Sequence, residues 1–530
     1  MAFHAPVRQV SKVTTRPAPV RGINAYDSIV AMPEGFALVL RNFYAQPYGV
    51  QVRKGYRKHV VGLLGPVETI ASHANTSKKL YAFVQDSPNA VMYDVTTPNV
   101  PGVAKLSSLT NARWQHINFP NAAGVHMLAV NGADNMVWVK PNDTVVQVAL
   151  GSGAGDTISG VDPKALIDIY SHQKRVWFAE KGTTYGWYLP PDQLTGVATS
   201  FNFGPNWTRG GYLNQVITWT IDDGNGADDH MVAISSEGEV SVYAGTDPDG
   251  ADTWGLQGVY YAGSPVGRRS ATRFGGDIVM VTQRGIVFLS DLLKSTKVNP
   301  STDNDAKYIQ QLVSIAATLD GDRFGWQPFV FPTSNMFIIN IPSTPTNSYQ
   351  FVMNDITKAW SEFIGYNAQC WELHQNLAFF GSQGAVYRAW EGTTDDASVT
   401  DAGVVTEGKD IQAEAQTTFG YFESLGTQKH FKMVRPTVLA RGAFSLSFSV
   451  NTDFLFDTPT APSAFGSLEP GRWDEDLWDN AVWEGGLQTY KRWQAVTGIG
   501  TAAAIRLLIR AGRETYWAST DWLLEDGGIM

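Results

Sequence analysis

The chain repeats one pattern seven times: a short apolar strand, a tight polar turn and a second apolar strand. The turns are rich in Gly, Asn, Asp and Ser, and β-branched or aromatic residues flank them, as in β-hairpins. The first strands begin near Leu80, Met127, Val176, Met231, Ile278, Met336 and Leu377, at intervals of 41 to 58 residues. β-Propeller blades repeat every ~40–50 residues. The pattern predicts an all-β fold with a propeller of six or seven blades, and stacked β-sandwich domains are the alternative.

Three regions differ in pattern. Residues 1–70 form a basic segment interrupted by Pro17, Pro19, Pro33 and Pro47, and we expect a platform or docking segment there. Residues 71–410 carry the hairpins. From residue 411 the strands become longer and alternate in polarity, as in QAEAQTTFGYF and FSLSFSVNTDFLF. We therefore expect the N- and C-terminal parts to build an additional β-rich platform or sandwich-like domain beside the propeller.

The composition of the chain favours a buried surface in an assembly and argues against a zinc site, a cofactor and a membrane segment. Charged residues make up 17 % of the 530 residues, against about 25 % in a typical soluble domain, so we expect surface to be hidden in an assembly. Cys370 is the one cysteine, and the nine His residues show no ligand spacing, which predicts neither a zinc cluster nor a cofactor. We also expect no membrane segment and no secretory leader, because no apolar stretch reaches ~18 residues.

Charge is unevenly distributed along the chain. Residues 1–60 contain nine Lys or Arg and two acids, whereas the remainder contains 31 Lys or Arg and 48 acids. Such asymmetry indicates that the first segment docks on an acidic partner or touches nucleic acid, and a solvated basic arm is the alternative.

The opposite imbalance occurs in residues 210–267, which contain nine acids and no Lys or Arg. Clustered carboxylates can ligate Ca²⁺ when they converge in one loop. Asp247, Asp249 and Asp252 are weak candidates for such a site. The loop does not follow EF-hand spacing, and acidic turn residues are common for backbone reasons. We therefore expect no bound metal.

A tryptophan run lies near the C-terminus. Trp473, Trp478 and Trp483 recur every five residues, and an acid follows each of them. This period fits neither a strand nor a helix. The rings either form an aromatic contact surface or attach an irregular loop to its own domain.

Enzyme motifs are missing from the sequence. GSGAGDT, residues 151–157, lacks the lysine of a phosphate-binding loop, and neither a GxSxG elbow nor an HExxH pair occurs. The sequence predicts a protein that is not an enzyme.

Two stretches resemble a known family. The first is RGINAYDSIVAMPEGFALVLRNFYAQPYGVQVRKGYRKHVVGL, and the second runs from VYAGTDPDG to IVFLSDLL with the elements Gly245-Thr246-Asp247-Pro248, Gly267-Arg268-Arg269 and Gly276-Asp277. Both resemble the tail nozzle proteins of short-tailed bacteriophages, also called tail tubular protein B or tail hub proteins. Together the stretches cover a minor part of the chain, and their motifs have no catalytic meaning.

The resemblance implies a structural virion protein. Such proteins form a homohexameric ring below the portal and its adaptor, extend the channel for double-stranded DNA, and hold the genome until ejection. It implies a location in the virion tail after assembly in the host bacterial cytoplasm, with the adaptor as partner and tail fibres or a tail tip as further partners. On this basis we expect Arg53, Lys54, Arg57 and Lys58 to contact the adaptor or a neighbouring subunit.

Two other functions stay open at this stage. One is a propeller glycosidase or depolymerase that degrades host surface polysaccharide, although no spacing singles out a pair of carboxylates. The other is a receptor-binding tail-tip protein in which the tryptophan run touches the host envelope.

Overall fold

The computed structural model describes residues 11–100, 102–222, 227–250, 253–294, 306–399, 405–459, 463–465 and 487–529. Strands dominate this part of the chain. Its two α-helices are Leu289–Lys294 and Lys307–Asp320, and its 3-10 turns are Pro163–Ala165, Gly204–Asn206 and Pro332–Ser334. No helix within these ranges is long and apolar enough to span a membrane.

Seven antiparallel sheets follow one another along the chain, and we number them as blades 1 to 7. The strands of blade 1 are the second part of Tyr56–His73, Lys79–Asp86, Asn89–Asp94 and Val103–Leu109. The strands of blade 2 are Gln115–Asn121, Gly124–Val130, Met136–Val139 and Val145–Leu150. The strands of blade 3 are Leu166–His172, Arg175–Glu180, Tyr185–Tyr188 and Thr199–Asn202. The strands of blade 4 are Leu213–Asp222, Ala227–Ser235, Glu239–Gly245 and Trp254–Tyr261. Two short strands, Thr157–Ser159 and Gly196–Val197, extend blade 2 in parallel.

The remaining blades are less regular. Blade 5 has Ala271–Phe274, Asp277–Thr282 and Gly285–Phe288; blade 6 has Gln327–Phe331, Met336–Pro342, Ser348–Asn354 and Trp360–Ile364; blade 7 has Cys370–His374, Leu377–Ala389 and the first part of Tyr56–His73. Six of the predicted hairpins are confirmed. The seventh prediction, LAFFGSQGAVYRA, is wrong as a hairpin, because Leu377–Ala389 is one long strand whose second half pairs with Tyr56–His73. The first strand of each predicted hairpin is nevertheless the second strand of one blade. The propeller prediction is therefore confirmed, with seven blades in the described residues.

Successive blades pack face to face in a closed ring. Because strand residues alternate between faces, the second strand of a blade can bury side chains against both neighbours. In blade 2, Met127 packs in one core with Phe83 of blade 1, while Leu128 packs in another with Phe178 of blade 3. Equivalent cores join blades 3 and 4, 4 and 5, 5 and 6, and 6 and 7. The last core contains Cys370 and joins blade 7 back to blade 1.

One long strand closes this ring. Residues 56–66 of Tyr56–His73 pair with Leu377–Ala389 in blade 7, and residues 67–73 pair with Lys79–Asp86 in blade 1. The crossing point is Gly65, where a Cβ atom would lie 2.0 Å from the backbone oxygen of Gln85. Only glycine allows the two backbones to approach this closely.

A helix covers the outer edge of blade 5. Ile309, Val313, Ala316 and Ala317 form the buried stripe of Lys307–Asp320. The Gln310 side chain accepts a hydrogen bond from the Ile286 amide at 3.0 Å and donates one to the Arg284 carbonyl at 2.8 Å. The helix thus satisfies backbone groups that a fourth strand would otherwise pair.

The N- and C-terminal strands form a β-sandwich beside blade 6. One layer contains Gly22–Ile23, Phe36–Arg41, Thr394–Asp395, Lys409–Thr417, Phe444–Thr452, Ser463–Phe465 and Ala503–Ala511. The other contains Lys12–Pro17, Phe43–Gln46, Gly49–Val52, Thr427–Ala440, Gln488–Lys491, Gln494–Gly500 and Thr515–Ile529. A separate two-stranded pair, Ser398–Val399 and Val405–Thr406, lies nearby. The predicted additional β-rich domain is confirmed.

Blade 6 and the sandwich share hydrogen bonds and a core. Gly22–Ile23 and Phe36–Arg41 pair in parallel with Trp360–Ile364, so that one sheet continues from blade 6 into the first sandwich layer. Trp360, Leu507 and Trp517 belong to one hydrophobic core that extends through both. The expected divisions after residues 70 and 410 fall inside the strands Tyr56–His73 and Lys409–Thr417.

Gly65→Ala tests ring closure. The added methyl must displace backbone at the crossing point, and overpacking of this kind costs about 1–3 kcal/mol. We expect thermal denaturation to show a clear fall in Tm. Gly255→Ala is the matched control, because Gly255 also lies in a strand and a Cβ there would meet nothing within 4 Å. Equal Tm values for the two variants would contradict this account of closure.

Candidate functional site

The four basic residues expected to dock a partner lie where the sandwich meets blade 7. Arg53 follows the strand Gly49–Val52, and Arg57 and Lys58 lie at the start of Tyr56–His73. The backbone there pairs with residues 392–397, since the Gly55 amide donates to the Gly392 carbonyl and the Lys58 amide to the Ala397 carbonyl. The acidic stretch after blade 7 is thus attached to the basic N-terminal segment.

Arg53 is an internal residue. Its side chain is 0 % exposed, and its Nη1 and Nη2 donate to the two Asp395 carboxylate oxygens at 2.7 and 2.6 Å. Nε donates to the Asn42 side chain at 2.9 Å, and Nη2 also donates to the Ile364 carbonyl at 2.7 Å. The planar fork of arginine suits such a bidentate arrangement. Because the Arg53 guanidinium is fully buried within the chain, Arg53 does not contact the adaptor or a neighbouring subunit as the sequence predicted.

The neighbouring cations are also paired within the chain. Arg57 Nη1 lies 3.0 Å from the Glu391 carboxylate, and Lys58 Nζ lies 3.2 Å from that of Asp396. These two pairs are partly exposed and contribute little to stability. Lys54 is exposed, with its ammonium 5.8 Å from the centre of the Trp390 ring. Docking by Lys54, Arg57 and Lys58 stays a prediction. A partner that binds Arg57 or Lys58 has to share or replace the carboxylate already paired with it.

Replacing Arg53 by methionine should destabilise the junction. The change leaves the Asp395 carboxylate without its main partner, and breaking a buried pair costs about 3 kcal/mol or more. Chemical denaturation of the full chain measures the effect. Lys54→Met is the control, because an exposed substitution changes stability by only ~0.5 kcal/mol. A wild-type midpoint for Arg53→Met would show that the pair does not hold the junction.

The other candidates from the sequence do not form a site in the described residues. Trp473, Trp478, Trp483 and Asp252 lie outside these residues. Asp247 is 3.1 Å from Arg175 Nη2, and Asp249 accepts a hydrogen bond from the Tyr188 hydroxyl. Both carboxylates thus fix their turn to blade 3. Among the described residues, no group of three or more His, Cys, Asp and Glu side chains is placed to hold a metal ion.

The structure brings together a second group of cations that sequence reasoning did not assemble. A cavity of about 570 Å³ opens at one end of the propeller axis. We call it the axial cavity. Its charged lining residues are Arg113, Lys181, Arg268, Arg269 and Arg323, together with Glu68 and Asp322. Glu68 lies in the strand Tyr56–His73. The others come from loops that join successive blades or lie within hairpins, and such loops meet on the same face of a propeller.

Arg269 closes the propeller axis below this cavity. Its Nη2 donates to the Thr69 hydroxyl at 2.6 Å and to the Trp114 carbonyl at 2.8 Å. Its Nη1 donates to the Glu68 carbonyl at 3.1 Å, and its Nε to the Gln115 side chain at 3.2 Å. All four acceptors are neutral. The residue therefore connects the loop before blade 5 to blades 1 and 2 and leaves a positive charge at the centre of the ring.

Two further arginines surround the opening. Arg113 is paired with Glu68 at 3.1 Å, and the Arg113 and Arg269 guanidinium carbons lie 4.5 and 5.2 Å from the centre of the Phe324 ring. Burial lowers the pKa of both Arg268 and Arg269, and the charge of Arg113 adds to the lowering. The carboxylates of Asp168 near Arg268, and of Glu68 and Glu372 near Arg269, partly offset it. The cations thus lie close enough to repel one another, and an anion in the cavity would relieve that repulsion.

The Gly267-Arg268-Arg269 element was visible in the sequence, but without a chemical role. Gly267 has a φ of 77°, which turns the chain so that the next two side chains enter the axial cavity. Nothing in the local sequence indicates that Arg113 and Lys181 lie nearby, because they belong to other blades.

Comparisons with known proteins do not assign this chain to a family. No family model matches the sequence, and no curated protein matches it. Among solved structures, the chain is similar to BBS1N from its complex with ARL6DN (8 % identity, 65 % of this chain and 99 % of that chain, TM-score 0.38). It is also similar to the dihydro-heme d1 dehydrogenase NirN (14 %, 60 % and 63 %, 0.35) and to Raptor of Chaetomium thermophilum (10 %, 64 % and 29 %, 0.37). TM-scores this low support no statement about function.

Proposed function

We propose that this chain is a structural subunit of a short-tailed bacteriophage tail, of the nozzle kind, that forms a homohexameric ring and conducts DNA. The observation that carries the proposal is the continuous sheet from blade 6 into the sandwich, which joins propeller and platform into one body. A subunit of this construction can transmit force without bending between its domains. The sequence resemblance adds the kind of assembly.

The DNA path in this proposal lies between subunits. Arg269 closes the propeller axis, and the channel beside it is only about 160 Å³ in volume. A duplex cannot pass through a single propeller of this kind. A ring of copies, with the acidic span 210–267 near the path, would repel phosphates and allow the DNA to slide.

An exposed apolar corner of the sandwich is a candidate contact between copies. The Lys429 ammonium donates to the Ser424 and Thr501 carbonyls, and the Asp453 carboxylate accepts from the Thr501 amide. Four large, exposed apolar residues lie within three positions of Ser424, Asp453 or Thr501 in the sequence. They are Leu425, Leu455, Phe456 and Ile499, which are 73, 63, 52 and 62 % exposed. Such clustering marks a contact surface.

Electron microscopy of the purified full-length chain, alone and with tail adaptor, tests the proposed ring. We expect six-fold particles with a central channel, and the chain should also be present in purified virions by mass spectrometry. A protein that stays monomeric under both conditions and is missing from virions would contradict the proposal.

Ile499→Asp tests the apolar corner separately. A charge at the centre of a subunit contact should reduce the ring fraction about tenfold or more while leaving the monomer folded, because a buried unpaired charge is strongly unfavourable. Size-exclusion chromatography with light scattering measures it. Leu319→Asp is the control, since Leu319 is 75 % exposed on the helix of blade 5. Equal losses of ring in the two variants would exclude this corner as the contact.

A propeller glycosidase or depolymerase is the second candidate, and the axial cavity is the feature that favours it. Its lining carboxylates are Glu68 and Asp322, and Arg113 holds Glu68. Glycoside hydrolysis needs one carboxyl group that can act as an acid and a second as base or nucleophile. Release of reducing sugar from host polysaccharide by the wild-type chain, lost in Asp322→Asn, would favour this candidate over the nozzle.

A further inference from the structure

The axial cavity carries an excess of positive charge. Of its five lining cations, Arg113 is paired with Glu68 and Arg323 with Asp320. Among the described residues, no carboxylate lies within ion-pair distance of Lys181, Arg268 or Arg269. This excess stands out in a chain whose formal net charge is −10.

Arg268 uses only part of its N–H donors in hydrogen bonds within the described residues. Its Nη1 donates to the Asn131 carbonyl at 3.2 Å, which is the one hydrogen bond found for this side chain in the described residues. The residue is nevertheless exposed, because its guanidinium points into the axial cavity. Lys181 is similar, with a weak contact of 3.4 Å to the Gly132 carbonyl. Both side chains can therefore turn toward a ligand without losing a strong internal partner.

The remaining lining specifies more than charge. Amide side chains line the cavity alongside the cations: Gln85, Asn111, Gln115, Asn131 and Gln283. The amides of Gln85 and Asn131 already donate and accept hydrogen bonds within the chain, so Asn111, Gln115 and Gln283 are the ones that can bind a ligand. Amides donate to and accept from hydroxyl groups. The Phe324 ring already has the guanidinium groups of Arg113 and Arg269 near it, which leaves less of its surface for stacking with an aromatic ligand. The cavity thus suits a hydroxylated, non-aromatic anion.

We propose that the axial cavity binds an acidic sugar, with Arg268 and Lys181 holding its carboxylate or phosphate group and the amide side chains binding its hydroxyls. Arginine pairs with such oxyanions through two parallel hydrogen bonds. Arg269 contributes its charge from below and keeps its own bonds to blades 1 and 2. A volume of about 570 Å³ lies in the range of small-molecule sites. The proposal is independent of the ring.

Isothermal titration calorimetry of the full-length chain at low salt tests this site. The probes are glucuronate, a glucose phosphate, neutral glucose and inorganic phosphate. We expect one or both acidic sugars to bind, with an affinity that falls as salt rises, and no binding of glucose. The sugar that binds identifies the preferred acid group. Glucose binding as tightly as the acidic sugars, or binding of phosphate alone at high concentration as an adventitious ion only, would overturn the proposal.

Variants then locate the binding. Arg268→Met and Lys181→Met should each weaken the acidic sugar about tenfold, because each removes a charge-assisted hydrogen bond. Lys164 is exposed in the turn before blade 3 and does not line the cavity, so Lys164→Met should bind like the wild type. Circular dichroism and Tm establish that all three are folded. Unchanged affinity in Arg268→Met and Lys181→Met, or displacement of the sugar by a short DNA duplex at equal phosphate concentration, would overturn the assignment.

Discussion

The strand Tyr56–His73 closes the propeller, and the arrangement of both domains depends on it. It pairs with blade 7 through its first half and with blade 1 through its second. The ring is therefore held by hydrogen bonds between segments far apart in sequence. Because this strand directly follows sandwich strands, and the chain after blade 7 returns into the sandwich, opening the ring would also pull on the sandwich.

Charge reinforces the same junction. The stretch after blade 7 places Glu391, Asp395 and Asp396 opposite Arg57, Arg53 and Lys58. The positive excess of the N-terminal segment is thus partly an internal property of the fold. A second positive group, in the axial cavity, is not neutralised in this way. In the first group every paired cation faces a carboxylate, whereas in the second Arg113 and Arg323 are paired and Lys181, Arg268 and Arg269 donate to neutral acceptors.

The hairpins could be predicted because their information is local. Alternating apolar residues and a tight turn favour a strand pair from local sequence alone, so the seven strand starts were visible in the sequence. Leu377–Ala389 is the exception, because the distant strand Tyr56–His73 pairs with its second half. The shared sheet between blade 6 and the sandwich could not be seen. It pairs Gly22 with Trp360, and no local pattern encodes a partner so distant. The helix that covers blade 5 was missed although Ile309, Val313, Ala316 and Ala317 recur at helical spacing. Only its packing on blade 5, through Gln310, depends on distant residues.

The site shows the same limit. Arg53 looked like a surface cation among other cations, since the sequence does not show that Asp395 lies beside it. Arg268 and Arg269 stood out as a motif, but their chemistry appears only when blades 1, 3 and 5 meet at the axis. Convergence of this kind depends on ring closure, which is a property of the whole chain.

Because one sheet and one core extend through both, propeller and sandwich should unfold as one mechanical unit. Differential scanning calorimetry of the isolated full-length chain measures this, because separate units would melt separately. We expect a single endotherm in which the loss of sheet signal and the exposure of buried tryptophan occur together. Two resolved endotherms, one for the propeller and one for the sandwich, would contradict it.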